Sequence, residues 1–161
     1  MHRTLLVLSL TAAGLAPFAP AGELTVKKSL NLAAIKTMIA ASETEAQNRK
    51  VQVTLCVADE NGTIIFLQKA DGAGINTIQF AQRKAQHAAL YGSPSKNAAD
   101  TLKSGNLQPL IQPGSFPNQG GLPIRIDGKV IGAISASGAP SEVDEAIAQA
   151  GLDALNNWLK Q

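Results

Sequence analysis

The stretch VQVTLCVADENGTIIFLQK, residues 51–69, decides the fold of this chain. Between Val51 and Val57 every second residue is Val or Leu, and this period of two is typical of a β-strand with one face in a core. Asn61-Gly62 then supplies the positive φ that a tight turn needs, and the β-branched and aromatic run Thr63–Lys69 follows. The stretch therefore predicts an antiparallel β-hairpin.

Helices are predicted on both sides of this hairpin. Before it, Asn31 is a favourable N-cap, and apolar residues at helical spacing predict a helix over residues 31–49. After it, Asn76 is the predicted cap of a second helix, which Gly92 ends.

A short third helix and a long connection follow. Ser93 as N-cap and Pro94 as the first helical residue predict a helix that runs to about Lys103. The polar stretch over residues 106–121 contains Pro and Gly and is predicted as a long loop, either a binding loop or a solvated linker.

A second hairpin is predicted around Asp127-Gly128, which joins the runs Leu122–Ile126 and Lys129–Ser137. Gly132 interrupts the second run. A glycine at such a position indicates a bulge, the close approach of a backbone or ligand, or simple packing against a helix. Pro140-Ser141 then begins the last helix.

This last helix carries acidic residues in its first turn, where the macrodipole favours them, and an apolar stripe. The acids are Glu142, Asp144 and Glu145, and the predicted buried stripe is Val143, Ile147, Ala150, Ala154 and Trp158. The resulting order is α-ββ-α-α-ββ-α. Because both strand pairs are hairpins, we predict an α+β fold with helices packed on a central antiparallel sheet.

The composition bounds the size and the partners of the protein. The chain has 161 residues, of which 45% are hydrophobic and 16% charged, and these values suit one compact domain. The formal net charge is only +2, without a Lys/Arg block, so nucleic acid is not an expected partner. The single cysteine, Cys56, lies in a strand pattern and is predicted to be a buried, inert thiol; a redox or dimer-linking role is the alternative.

The first residues match a secretory signal peptide. Met1-His2-Arg3 is a short basic region, Thr4–Leu15 is apolar, and Ala19-Pro20-Ala21 has the small-x-small pattern of a cleavage site. The apolar run is too short for a spanning helix, so no membrane span is predicted. We expect a leader over residues 1–21, a single mature domain over residues 22–161, and a periplasmic or secreted location.

Motifs of the common enzyme classes are absent, since no GxxxxGK[ST], GxSxG, HExxH or GxGxxG occurs. His87 is the only imidazole after the predicted leader, and Ser135 and Ser137 lack the setting of a nucleophile in a Ser-His-Asp triad. Asp144-Glu145 is a weak acid–base candidate, because adjacent residues on a helix point in different directions.

One stripe of the second helix carries the chemistry of interest. Phe80, Lys84, His87 and Tyr91 share a face that differs from the alanine face of the same helix. An aromatic wall with a cation and an imidazole suits a flat, apolar ligand with an anionic edge, such as a metalloporphyrin. Arg83 or Lys84 would then bind the carboxylates and His87 the iron; an ordinary surface or partly buried histidine is the alternative.

Several segments together resemble the GlcG/HbpS-like haem-binding family. They are Val57-Ala58-Asp59-Glu60-Asn61-Gly62, Lys84-Ala85-Gln86-His87-Ala88-Ala89, Gly120-Gly121-Leu122-Pro123-Ile124, and Gly132-Ala133-Ile134-Ser135-Ala136-Ser137-Gly138 followed by Asp144-Glu145. The same pattern is similar to the C-terminal domain of PduO-type corrinoid adenosyltransferases. The resemblance extends from about Leu24 to Leu155.

The resemblance implies a profilin-like fold, assembly into homo-oligomers and tetrapyrrole binding, with haem as the cofactor. In the haem-binding interpretation, the stripe of the second helix and the Gly-rich strands around Gly120-Gly121 and Gly132 wall a flat pocket. Where the family often has Lys-Ala-x-Thr-Ala, this chain has Lys-Ala-Gln-His-Ala, so His87 stands at a position associated with the pocket. An imidazole is a much better iron ligand than a threonine hydroxyl.

Three functional hypotheses follow. The first is an exported haem-binding protein that sequesters or degrades haem. The second is an enzyme or accessory subunit for a small organic acid, with Lys84 and Arg125 binding the carboxylate and Asp144 as a base. The third is a non-catalytic oligomeric partner of a membrane sensor or a neighbouring enzyme.

A homo-oligomer is also expected from packing. The alanine face of the second helix, with Ala81, Ala85 and Ala88, permits close approach of another backbone but buries little area within one chain. Contacts with a symmetry-related copy through such a face would add to the small core.

Overall fold

The computed structural model describes residues 26–161, so the predicted leader lies outside the described residues. The elements are α1 (Leu32–Asn48), β1 (Thr54–Asp59), β2 (Ile64–Lys69), α2 (Thr77–Tyr91), α3 (Ser95–Lys103), α4 (Gln108–Ile111), β3 (Gly121–Ile126), β4 (Lys129–Ser137) and α5 (Ser141–Trp158). The predicted α+β order is confirmed, with one addition. The one-turn helix α4 lies inside the stretch that was predicted as a continuous loop. No helix in residues 26–161 is long and apolar enough to cross a membrane.

The four strands form one antiparallel sheet in the order β2-β1-β4-β3. Successive residues of β1 point to opposite faces of the sheet. Leu55 and Val57 pack with α1 and α5 in the larger core, whereas Cys56 and Ala58 pack with α2 in the smaller one. The sheet therefore lies between two helical layers, and the stripe of α2 belongs to the layer opposite α1 and α5.

The smaller core is built from small side chains. Ala81, Ala85 and Ala88 are fully buried, and they pack with Cys56 and Ala133 of the sheet. The expectation that this alanine face is an interface between copies is therefore wrong, because the chain's own sheet covers it.

Cys56 is fully buried, as predicted. Burial raises the pKa of its thiol to about 12. Because the thiolate is the reactive form, Cys56 is a packing residue of the smaller core.

The second hairpin has the predicted turn. Asp127 and Gly128 both have positive φ, 51° and 75°, as a type I′ turn requires. In the next strand Gly132 lies so close to β1 that a Cβ on it would approach the carbonyl oxygen of Ala58 to 2.4 Å. The pairing of β3 with β4 shifts at the same place, so the bulge and the close backbone approach are both present.

Three details of the helices differ from the prediction. Asn76 precedes α2 with helical backbone angles, and its side chain caps no N–H. Pro94, not Ser93, is the residue before α3, so the helix begins at Ser95. The buried face of α5 is rotated about the helix axis relative to the predicted stripe. Its buried residues are Asp144, Ile147, Ala148, Gly151 and Leu155. The predicted stripe did not include Asp144, whereas the fold buries it.

Candidate functional site

Helix α2 carries the predicted stripe, but its members lie in different environments. Lys84 and His87 are buried, while Phe80, Arg83 and Tyr91 are exposed at the surface. Lys84 lies against Gly120 and Gly121, whereas His87 accepts a hydrogen bond from the N–H of Phe116. The stripe is therefore not one open wall.

Lys84 forms a buried ion pair with Asp144 at the start of α5. Its ammonium donates to Asp144 Oδ2 at 2.7 Å and to the carbonyl oxygen of Ala136 at 3.1 Å. Only 1% of the surface of Lys84 is exposed, and 2% of that of Asp144. The pair joins the helix on one face of the sheet to a helix of the other layer.

Burial opposes both charges of this pair. It lowers the pKa of Lys84 and raises the pKa of Asp144, and the hydrogen bond between them counteracts both shifts. Asp144 Oδ1 also accepts a hydrogen bond from the N–H of Ala139 at 3.0 Å. Both oxygens of this carboxylate therefore accept hydrogen bonds. The role of Asp144 as a base stays a prediction.

Gly120 and Gly121 lie against Lys84, and the structure gives a physical reason for both glycines. A Cβ on Gly121 would lie 2.3 Å from the carbonyl oxygen of Lys84, and a Cβ on Gly120 would lie 2.9 Å from its Nζ. The N–H of Gly121 is bonded to Ser95 Oγ at 2.9 Å. Because both residues are glycines, β3 packs closely against the backbone of α2. The sequence pattern alone did not indicate this close packing.

The segment before β3 crosses the stripe at Phe116. The N–H of Phe116 donates to His87 Nδ1 at 3.0 Å, and its ring meets that of Phe80 edge to face at 5.5 Å. The guanidinium of Arg83 lies over the same ring, 4.3 Å from its centre. Phe116, which the sequence analysis missed, therefore connects three of the predicted site residues.

His87 is held as a neutral imidazole. Burial lowers its pKa, and the bond from Phe116 uses the lone pair of Nδ1, which leaves the proton on Nε2. Its ring also stacks on Tyr91 at 4.8 Å. A metal ligand needs a free lone pair, so ligation of iron by His87 requires the N–H of Phe116 to leave Nδ1.

Arg83, which lies beside the stripe, is the cation that remains available. Within residues 26–161 it has no carboxylate partner, and its guanidinium is exposed beside Phe80 and Phe116. Arg125 has a different environment. It donates hydrogen bonds to the carbonyl oxygen of Gly92, which follows α2, and to that of Gly128 in the turn between β3 and β4. Arg125 and Lys84 are therefore not brought together.

Two cavities lie along α2. The first, which we call the α2–α5 cavity, has a volume of about 340 Å³ and is lined by Lys84, Asp144, Ser137 and the starts of both helices. The second, the α2–α4 cavity, measures about 210 Å³ and is lined by His87 and Tyr91. These volumes lie near or below the lower end of the roughly 300–1,000 Å³ of small-molecule sites. Neither cavity encloses a tetrapyrrole.

The described residues contain no cluster of three or more His, Cys, Asp or Glu side chains that would hold a bare metal ion.

Comparison with known proteins identifies the family. A family model described as "Haem degrading protein HbpS-like" matches residues 30–153. Protein GlcG of Escherichia coli K12 is 31% identical over 100 residues, which cover 62% of this chain and 75% of GlcG.

Two solved structures share the fold. A double mutant of Streptomyces reticuli HbpS superposes with a TM-score of 0.76 and 33% identity, covering 90% of this chain and 98% of that one. The PduOC:heme complex has a TM-score of 0.74 and 25% identity, covering 80% and 96%. Three of the four segments that carry the resemblance in the sequence meet at Lys84, Asp144 and the two glycines. The chain therefore belongs to the HbpS-like family.

Proposed function

We propose that this protein binds haem on the outer face of α2. The observation that carries the proposal is the group formed by the exposed Phe80 and Arg83 with the half-buried Phe116, in which two aromatic rings adjoin a guanidinium without a carboxylate partner in the described chain. Aromatic rings contact the face of a porphyrin, and guanidinium binds carboxylates such as propionates. The solved PduOC:heme complex supports the proposal from a related fold.

Arg83 replaces Lys84 as the proposed partner of a propionate. The sequence offered both residues, but Lys84 is buried in its pair with Asp144, whereas Arg83 reaches solvent. Haem supplies a redox-active iron when bound, and His87 is the proposed ligand that the chain would offer. For that, the N–H of Phe116 must release Nδ1 of His87.

The outer face leaves one side of a bound haem uncovered within a single chain. We therefore propose that a second copy of the chain covers it, which makes the protein a homo-oligomer. Sequestration or degradation of haem outside the cytoplasm is the proposed role, with a periplasmic or secreted location as expected from the leader.

A haemin titration of the mature protein tests the proposal. We expect a saturable Soret band, and about tenfold weaker binding in Arg83→Gln, because one charge-assisted hydrogen bond is lost. The matched control is Lys36→Gln, which removes an exposed cation from α1 in the opposite layer and should bind like the wild type.

His87→Ala tests the ligand separately. A change of axial ligand moves the Soret maximum, so we expect a shifted band in this variant. An unshifted band would remove His87 from the site while leaving haem binding intact. Absence of a saturable band in the wild type would contradict the proposed function itself.

A further inference from the structure

The segment over residues 115–119, which we call the strap, connects α4 to β3 and contains no helix or strand. Within the described chain, its backbone forms backbone–backbone hydrogen bonds only to Gln112 and inside the strap itself. Side chains of three helices hold it instead, and each makes one hydrogen bond to it. They are His87 of α2, Ser95 of α3 and Glu145 of α5. The strap is therefore attached by separate side-chain contacts, without the ladder that fixes a strand or a helix.

A glycine lies at each end of the strap. Gly114 and Gly120 have positive φ values, 72° and 124°. Glycine adopts this conformation without the steric cost of a Cβ, and such residues absorb the changes in φ and ψ of a hinge. The strap thus lies between two positions at which the backbone is able to turn.

Two buried side-chain atoms lack a hydrogen-bond partner in residues 26–161, and both belong to this region. One is Oγ of Ser115 in the strap, and the other is Oε2 of Glu145, whose Oε1 accepts from Gln119 at 3.1 Å. A polar group that is removed from water without gaining a partner destabilises the state that buries it. The closed strap therefore carries a free-energy penalty that an open, hydrated strap avoids.

The closed strap also determines what His87 offers to a ligand. Only 2% of the surface of His87 is exposed, and the N–H of Phe116 occupies its Nδ1 at 3.0 Å. The ring of Phe116 at the same time contacts Phe80 and Arg83 at the surface. Release of this one residue changes both the imidazole and the exposed aromatic group.

We propose that the strap opens and closes as a unit within the folded protein, and that its opening exposes Nδ1 of His87 to an incoming ligand. Opening breaks the three side-chain hydrogen bonds to the strap, while the sheet and the long helices stay folded, so it is a local unfolding event. The identity of that ligand as haem rests on the proposed function. The opening itself is a property of the haem-free chain.

Hydrogen exchange of the haem-free protein, followed by NMR, tests the opening. The N–H of Phe116 is bonded to His87, and that of Asn118 to the carbonyl oxygen of Phe116. We expect one opening constant for both, about a hundredfold or more above that of the N–H of Ala85 in the α2 core. Urea below the unfolding transition should change it little, because the opening exposes little surface. Different constants for Phe116 and Asn118, or a constant for Phe116 equal to that of Ala85, would overturn the proposal.

Ser115→Ala tests the contribution of the buried hydroxyl. The variant removes the unpartnered group from the closed strap, so the opening constant of Phe116 should fall about tenfold. Ser104→Ala is the matched control, because the hydroxyl of Ser104 is exposed and donates to the carbonyl oxygen of Thr101 at 2.7 Å. Phe116 should exchange in this control as in the wild type. An unchanged constant in Ser115→Ala, or an equal fall in Ser104→Ala, would contradict the proposal.

Stopped-flow mixing with haemin tests the link between the strap and the site. Because opening has to precede ligation, the rate of the Soret change at saturating haemin should fall in Ser115→Ala by the same factor as the opening constant. An undiminished rate would show that the strap does not control access to His87. Absence of any Soret change would contradict the proposed function alone, since the exchange measurements decide the opening without haem.

Discussion

Lys84 carries a charge into a position where solvent reaches almost none of its surface. Removal of an ion from water costs several kcal/mol, and in this chain Asp144 and the carbonyl of Ala136 offset that cost. The sequence placed Lys84 on a helix face outside the alanine core, but Asp144 lies 60 residues away and only the tertiary fold brings the two together. Helical periodicity predicts on which face of the helix a residue lies. It does not predict which residue of another layer that side chain contacts.

Lys84→Met should therefore act on stability. We expect the free energy of unfolding to fall by about 3–5 kcal/mol, because the variant leaves the carboxylate of Asp144 buried without its partner. Urea unfolding followed by circular dichroism measures the effect.

The double variant Lys84→Met/Asp144→Asn is the control for this prediction. Asn removes the uncompensated charge and keeps an acceptor for the N–H of Ala139, so most of the lost stability should return. If Lys84→Met unfolds at the same urea concentration as the wild type, the buried pair does not hold Lys84. Lys84 would then again be a candidate to bind a carboxylate of a ligand.

The separate elements were predictable where their signals are local. Asp127-Gly128 encodes its turn in two adjacent residues, and Asn31 caps α1 with its own side chain, accepting from the N–H of Ala34 at 2.8 Å. The four-residue helix α4 has no such signal, because it is too short for a periodic pattern. The start of α3 was missed by one residue since Ser95 is directed inward, where it bonds Asn118 and Gly121.

The approach of β3 to α2 depends on Gly121. Gly121→Ala places a Cβ against the backbone carbonyl of Lys84, and backbone atoms cannot yield as a flexible side chain does. We expect a loss of about 1–3 kcal/mol in the free energy of unfolding, the usual range for overpacking. Thermal unfolding by calorimetry measures it.

Gly72→Ala provides the comparison. A Cβ there would meet only the side chain of Gln52, at 3.0 Å, and that side chain is free to move. The variant should be close to the wild type in stability. Equal stability of Gly121→Ala and Gly72→Ala would show that Gly121 is not required for packing and would favour the implied role of this glycine at a ligand.

At the scale of the whole molecule, the distribution of apolar surface decides how copies of the chain would associate. The alanine face is covered by the chain's own sheet, so it is not available for contact with another copy. Large apolar side chains are exposed instead near the C-terminal end of α2 (Leu90 and Tyr91) and on α4 (Leu110 and Ile111), and Tyr91 donates a hydrogen bond to the carbonyl oxygen of Pro113 just after α4. Sequence periodicity did not reveal this surface, because it combines one long helix with a helix of a single turn.

This surface is where we expect a homo-oligomer to form. Ile111 is 82% exposed, and covering such side chains stabilises an interface by about 25 cal/mol per Å² of apolar area. Ile111→Glu places a charge in the expected contact and should convert the oligomer to a single chain at low micromolar concentration, as measured by light scattering. Leu32→Glu, an equally drastic change at an exposed position of α1 in the opposite layer, should leave the mass unchanged. A wild-type mass of one chain that does not vary with concentration or haemin would refute the oligomer, and loss of assembly in Leu32→Glu alone would move the interface to α1.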